Sequence, residues 1–244
     1  MNKERFMPEA AKILTKKDGA FVNSRRIGEV RIADVRLSDS AAKSIGRRAG
    51  RYITLYGSPR AAGMTALLRR ALMQMLPPRG RLFAAGLGNP DVTQDSLGAE
   101  CVRRLASRKG GRYSLAAMET DVAAKTGIET ARLVKAAARE LKADCVIAID
   151  ALSCGDPRYI GGTVQVGSAG LIPGSGVGAK SGDLTERELG CPVIAVGVPT
   201  VSALSDITRG GADKKLLVST ADIDIIIGMW SETVAAAIDT IVEG

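Results

Sequence analysis

Residues 126–150 read TGIETARLVKAAARELKADCVIAID, and this stretch decides the fold. Thr126-Gly-Ile-Glu129 has the form of a capping box, a hydroxyl and a carboxylate three residues apart closing the first turn of a helix. Ile128, Ala131, Val134 and Leu141, with the alanines between them, recur at helical spacing. Ala143-Asp144 ends that helix. Cys145-Val-Ile-Ala-Ile149 is apolar without alternation, the pattern of a strand covered on both faces, and it stops at Asp150.

The same rhythm extends outward. Leu82-Phe-Ala-Ala85 is a short apolar strand running into Gly86-Leu-Gly-Asn-Pro-Asp-Val-Thr-Gln-Asp-Ser-Leu-Gly98. Thr93 suits a helix N-cap, which puts Asp95 in the first turn of a helix ending near Leu105. Thr163-Val-Gln-Val166 is a short strand and Pro192-Val-Ile-Ala-Val-Gly-Val198 a buried one. Asp222 to Val242 is an amphipathic helix with Ile223, Ile226, Ile227, Trp230, Val234, Ile238 and Ile241 towards the core. Upstream, residues 1–20 read as a helix and Gly28–Leu37 as a half-exposed strand. Ala41–Arg48 reads as a short helix, Arg51–Tyr56 as a strand and Ala61–Leu76 as a helix stopped by Pro77-Pro78. Strand–helix alternation predicts an α/β fold: a three-layer sandwich with a mainly parallel central sheet and helices on both faces. Residues 1–244 are expected to form one domain, with 1–80 a basic N-terminal extension of the sheet and 81–244 the α/β core.

Composition narrows the function. The chain has no histidine, so no Ser-His-Asp or Cys-His couple and no histidine-based zinc site exists. Acid–base work falls to Asp, Glu, Lys, Tyr or Cys. Residues 1–80 carry 17 Lys/Arg against 6 Asp/Glu, while 81–244 carry 17 against 20. The basic third reads first as a solvated face, and otherwise as a surface for an acidic partner. With 3% aromatic residues there is no stacking platform, so nucleic acid is not expected. No apolar run approaching the ~20 residues of a membrane span is read, and the charged start leads into no signal-type core. Cys101, Cys145, Cys154 and Cys191 form no C-x-x-C pair, which fits a reducing, cytoplasmic compartment. Cys154 lacks an imidazole partner and is set aside as a nucleophile.

Two glycine loops imitate phosphate motifs and fail. Gly86-Leu-Gly88-Asn89-Pro-Asp91 has Asp91 where a dinucleotide fingerprint needs its third glycine. Gly174-Ser175-Gly176-Val-Gly178-Ala-Lys180 has Ala179 breaking the P-loop spacing, although its backbone N–H groups suit a substrate carbonyl. What remains is a pair of carboxylates. Asp150 follows one buried strand directly and Asp95 follows another through the loop. Strand carboxyl ends in an open parallel sheet form the ligand crevice. If those strands are neighbours, Asp95 and Asp150 meet, one keeps a proton, and the pair can hydrolyse an amide without histidine or metal. Otherwise Asp95 is a helix-start carboxylate and Asp150 a strand-end turn residue. Asp91 is a third acid of the crevice or a turn residue. Lys180 binds an acidic side chain or is solvated.

At these residues the chain resembles the germination protease family, which degrades small acid-soluble spore proteins. The resemblance rests on Gly86-Leu-Gly-Asn89 with Val92-Thr-Gln-Asp-Ser-Leu-Gly98, on Thr126–Thr130, on Val146–Leu152, on Gly170–Gly178 and on Pro192–Thr200. Ser44–Thr54 and the C-terminal helix are more weakly similar. The resemblance implies an α/β fold like that of the hydrogenase-maturation peptidases, and an endopeptidase of the spore core. It also implies a homo-oligomer, a tetramer, with Asp95 and Asp150 as the catalytic pair. Gly88, Asn89, Asp91, Gly174, Ser175, Gly176 and Lys180 are then the substrate-binding candidates. No cofactor is implied, nor a metal, since the maturation peptidases bind theirs partly through histidine. The chain departs from the family near Glu9-Ala10, where the self-processing site is not reproduced. It also lacks an insertion between Val201 and Val218, and Pro90 and Asp91 replace residues typically aromatic and amide. Two other readings stay open: a non-catalytic homologue that binds acidic peptides, and a maturation-type peptidase acting on one protein partner.

Overall fold

The computed structural model describes residues 7–10, 19–105, 108–109, 111–173, 182–208 and 216–244. The first part runs α1 (Met7–Ala10), β1 (Ala20–Ile27), β2 (Val30–Leu37), α2 (Asp39–Ser44), β3 (Gly50–Tyr56) and α3 (Met64–Met73). Next come β4 (Gly80–Gly86), α4 (Leu97–Arg104), β5 (Arg108–Lys109), β6 (Tyr113–Glu119), α5 (Ala123–Thr126), α6 (Thr130–Glu140) and β7 (Cys145–Cys154). The last part holds β8 (Thr163–Gly167), α7 (Glu186–Leu189), β9 (Val193–Ala203), α8 (Leu204–Ile207), β10 (Leu217–Val218) and α9 (Ile223–Glu243).

Among the described residues the strands form one sheet in the order β1-β2-β3-β8-β9-β7-β4-β6-β5, with β10 added to β9. The fold is mixed α/β. The expectation of a mainly parallel sheet is corrected: β9, β7, β4 and β6 are parallel, and every other pairing is antiparallel. Parallel neighbours need long crossovers, usually through a helix. The chain supplies these only between the four central strands. The N-terminal part instead opens with a hairpin, β1 and β2 joined across Gly28-Glu29. Strand β8 then joins the two halves, antiparallel to both β3 and β9.

Alternation along the central strands sorts the core onto two faces. Cys145, Ile147 and Ile149 of β7 and Leu82 and Ala84 of β4 pack with Leu97 and Cys101 of α4 and with Trp230, Val234 and Ile238 of α9. Val146 and Ala148 of β7 and Phe83 and Ala85 of β4 pack with Ala131, Val134 and Ala138 of α6. Both sets are fully or nearly fully buried, which is why β7 reads as an unbroken apolar run.

Local corrections each have a cause. Thr126 does not cap a helix: it closes α5, and Gly127, with a φ of 70°, reverses the chain before α6 starts at Thr130. Strand β7 does not stop at Asp150 but continues to Cys154, because β9 pairs with it as far as Ser202. The register slips between Leu152 and Ser153, beside Pro199, which has no N–H to give the ladder. Strand β1 escaped the sequence reading because Phe21-Val22 and Arg25-Arg26 do not alternate. Of the expected helix over residues 1–20, α1 falls within the described residues. Helix α9 has 21 residues and a mean hydropathy of 1.5, so an apolar stretch of membrane-spanning length does exist. Its Ile223, Ile227, Trp230, Val234 and Ile238 lie in the core.

The Trp230 side chain is sealed inside, and its Nε1–H donates to the Gly161 carbonyl at 2.7 Å. Trp230→Ala removes the largest buried side chain and this bond together. The expected cost is about 3–5 kcal/mol, read as a lower denaturation midpoint in urea.

Candidate active site

The two parallel strands β4 and β7 lie side by side, Gly86 in register with Ile149. The pairing runs one residue further, where the Leu87 N–H donates to the Ile149 carbonyl at 2.8 Å. Asp150 is the next residue of β7. Ile149 faces the α4–α9 side, so Asp150 projects to the other face, above Ala148, and is buried there.

Asp95 arrives beside it by a tightly wound loop. Gly88 turns with a φ of 103°, and a Cβ on it would stand 2.1 Å from the Asp95 carbonyl oxygen. Only glycine fits both demands. Asn89 Oδ1 accepts from the Asp91 N–H at 3.0 Å, and the Asn89 carbonyl accepts from the Val92 N–H at 3.1 Å. A short 3-10 turn over Thr93–Asp95 follows, in place of the expected first turn of α4. Helix α4 starts only at Leu97. The fully buried Thr200 of β9 holds the turn from below, its hydroxyl donating to the Gln94 carbonyl at 2.6 Å. Asp95 Oδ2 accepts from the Asn89 N–H at 2.7 Å.

The helix after the turn is pressed onto the strands. A Cβ on Gly98 would lie 2.3 Å from the Leu87 nitrogen and 2.5 Å from the Ile149 carbonyl oxygen. The absence of a side chain there lets α4 sit against the ends of β4 and β7, and this brings Asp95 to Asp150.

Electrostatics separates the two acids. Burial pushes the Asp150 carboxyl well above the usual carboxylate range, and the charge on Asp95 pushes it further; the Ala151 N–H opposes both. Burial also raises Asp95, but the Asn89 N–H stabilises its ionised form while nearby Asp121 disfavours it. Both acids are thus pushed towards their neutral forms, Asp150 by burial above all, and Asp95 with one backbone N–H favouring its charge. A neutral acid beside a carboxylate can donate to a carbonyl oxygen while its partner accepts from water.

Of the other candidates, Gly88 and Asn89 shape the Asp95 loop. Asp91 is exposed, its carboxylate 2.5 Å from Lys125 Nζ, whose hydrogen bond and charge hold it below the usual range. Gly174, Ser175, Gly176 and Lys180 lie outside the described residues. On either side of that stretch, Leu171 and Leu184 bridge backbone to backbone at 3.0 and 2.9 Å and pack on the α6 face. Cys154 is buried, its thiol donating to the Asp156 carbonyl at 3.2 Å. Among the described residues no group of three or more His, Cys, Asp or Glu is placed to hold a metal ion.

Sequence reasoning missed Thr200, Asp121 and Lys125. Lys125 Nζ reaches Asn89 Oδ1 at 2.7 Å, Asp91 and Asp121, and so ties α5 to the Asp95 loop. Asp121 and Lys125 stand four apart, a spacing common in any solvated helix, so only their meeting with Asn89 gives them meaning.

With this geometry in view, comparison with known proteins is decisive: the family profile described as germination protease matches residues 1–219. The chain belongs to the germination protease family. It is 32% identical over 219 residues to the germination protease of Geobacillus sp. (strain WCH70), covering 80% of this chain and 59% of that protein. The Clostridium tetani protein of the same name is 30% identical over 229 residues, covering 84% of this chain and 71% of the relative. The Bacillus subtilis one is 33% identical over 211 residues, covering 77% and 57%. The matched region thus spans under two thirds of the length of most of these family members.

Two outcomes are expected. Asp150 favours its neutral form in the folded state, so the fold binds more protons than the unfolded chain above the ordinary carboxylate pKa. Stability then falls as pH rises from about 4 through the raised value. Asp150→Asn removes that loss: its melting temperature should exceed that of the parent at pH 7, with the advantage vanishing near pH 4. Gly88→Ala, strained and clashing with Asp95, should cost about 1–3 kcal/mol in chemical denaturation.

Proposed function

We propose that this chain is an endopeptidase in which Asp95 and Asp150 share one proton and hydrolyse a peptide bond. The carrying observation is the buried Asp150 carboxyl, pushed well above the usual carboxylate range by burial and by the neighbouring Asp95. Asp95 takes a proton from a water molecule as the water oxygen bonds to the scissile carbonyl carbon. Asp150 gives its proton to the carbonyl oxygen, and a gem-diol forms. The Asp95 proton then passes to the leaving nitrogen, the C–N bond breaks, and Asp150 recovers its proton from the collapsing diol. General acid–base steps of this kind contribute about 10²–10⁴-fold each. No histidine is needed, and the reading invokes no metal or cofactor.

Membership of the germination protease family supports small acid-soluble spore proteins as substrates, the cytoplasm of the spore core as the place of action, and a homo-oligomer, a tetramer, as the assembly. With α3, α4 and α9 against one face of the sheet and α6 against the other, we read the architecture as the three-layer sandwich of the hydrogenase-maturation peptidases.

The test is digestion of a purified small acid-soluble spore protein, with the fragments mapped by mass. Asp95→Asn and Asp150→Asn should each slow cleavage by about 10²-fold or more while the far-ultraviolet circular dichroism is kept. Normal digestion by both variants refutes the mechanism. Binding without cleavage by the parent protein would favour a binding-only homologue, and a metal requirement would favour a maturation-type peptidase.

A further inference from the structure

Strand β1 ends the sheet, and among the described residues nothing pairs with its outer edge. It is long for an edge, eight residues in unbroken register with β2, and seven of them are exposed. Phe21, Val22 and Ile27 are 57%, 46% and 41% exposed. An open strand of this length with apolar side chains is a template for another strand unless something blunts it. No proline or bulge does so in β1.

The charge on this hairpin is one-sided. Arg25 and Arg26 on β1 and Arg31 and Arg36 on β2 have no carboxylate in ion-pair reach among the described residues. Arg26 and Arg31 stand directly opposite one another, a like-charge pair that weakens the hairpin. The Arg31 guanidinium lies 3.7 Å above the Tyr56 ring, which leaves its charge unneutralised. Asp34, the acid of β2, is taken by Arg51 at 2.7 Å. Four of the 17 basic residues of the first 80 thus stand on the hairpin that ends the sheet.

We infer that the outer edge of β1 docks an extended acidic polypeptide segment, which joins the sheet as an added antiparallel strand. Main-chain N–H and C=O groups supply the affinity of such a mode and side chains the selectivity. Arg25 and Arg26 point to opposite faces, so two consecutive carboxylates in the incoming strand answer both. The residue before them lies opposite Ile27, and those four and five positions after the first carboxylate lie opposite Val22 and Phe21. The fitting pattern is apolar-acidic-acidic-polar-polar-apolar-apolar. A second copy of this chain fits worse, because edge-to-edge pairing would bring two basic hairpins together. Nucleic acid would use the charge but neither the backbone ladder nor the exposed apolar side chains of Phe21, Val22 and Ile27. The edge lies five strand spacings from β7, or about 24 Å from the aspartate pair, so this surface is separate from the cleavage site. The inference stands whether or not the pair cleaves.

The probe is a fluorescein-labelled peptide, Val-Glu-Glu-Ser-Thr-Val-Val, titrated with the full chain in low salt. Binding should be saturable, weaken as salt rises, and protect the amides of residues 20–27 from hydrogen exchange. Gln-Gln in place of Glu-Glu, N-methylation of alternate peptide amides, and Arg25→Gln with Arg26→Gln in the protein should each weaken it about tenfold or more, a difference of 1.4 kcal/mol. The substituted arginines are exposed, so the double variant keeps its fold, as its melting curve should show. No binding, equal binding by the N-methylated peptide, or preference for a single-stranded DNA dodecamer over the peptide overturns the proposal.

Discussion

A carboxyl group closed off from water within an interior strand of the sheet is the constraint from which the rest follows. Asp150 cannot carry a full charge there without compensation, and the charge that acts on it is that of another acid, Asp95. The folded chain meets this by holding Asp150 neutral and stabilising the charge on Asp95 with a backbone N–H. One proton shared between two acids is the arrangement on which the proposed hydrolysis without histidine rests. It also makes the site a point of weakness in the fold, since a buried raised carboxyl lowers stability at neutral pH.

The supporting shell is made of small residues and backbone. Gly86 and Gly98 let α4 lie on the strands, and Gly88 lets the loop pass over Asp95 with no room for a methyl group. Thr200 comes from β9, more than a hundred residues further along, and fastens the turn that carries Asp95. The contacts of Gly98 with Ile149 and of Thr200 with Gln94 join segments distant in sequence, so the site is complete only after the central parallel strands have assembled.

The antiparallel part of the sheet plays a different role. Strands β1, β2 and β3 extend the sheet away from the aspartates through β8, and they gather the unneutralised arginines at its far edge. One continuous sheet therefore has two chemically distinct ends of interest, an acidic pair among parallel strands and a basic open edge on a hairpin.

Much of the fold could be read from residue patterns. The apolar runs in β4, β7 and β9 and the periodicity of α3, α6 and α9 are local, and burial on both faces leaves an unmistakable mark on composition. The absence of histidine excluded whole classes of chemistry before any folding was considered. Asp95 and Asp150 were nameable because each follows such a run. Strand direction was not legible, since an apolar strand looks the same beside a parallel or an antiparallel neighbour. The end of β7 and the start of α6 were misread because pairing with β9 and the turn at Gly127 overrode the local pattern. That Asp150 is buried, that Asp95 comes into its electrostatic reach, and that Asp91 meets Lys125, only the tertiary structure decided. Burial and proximity are properties of the assembled chain, and no single stretch of sequence contains them.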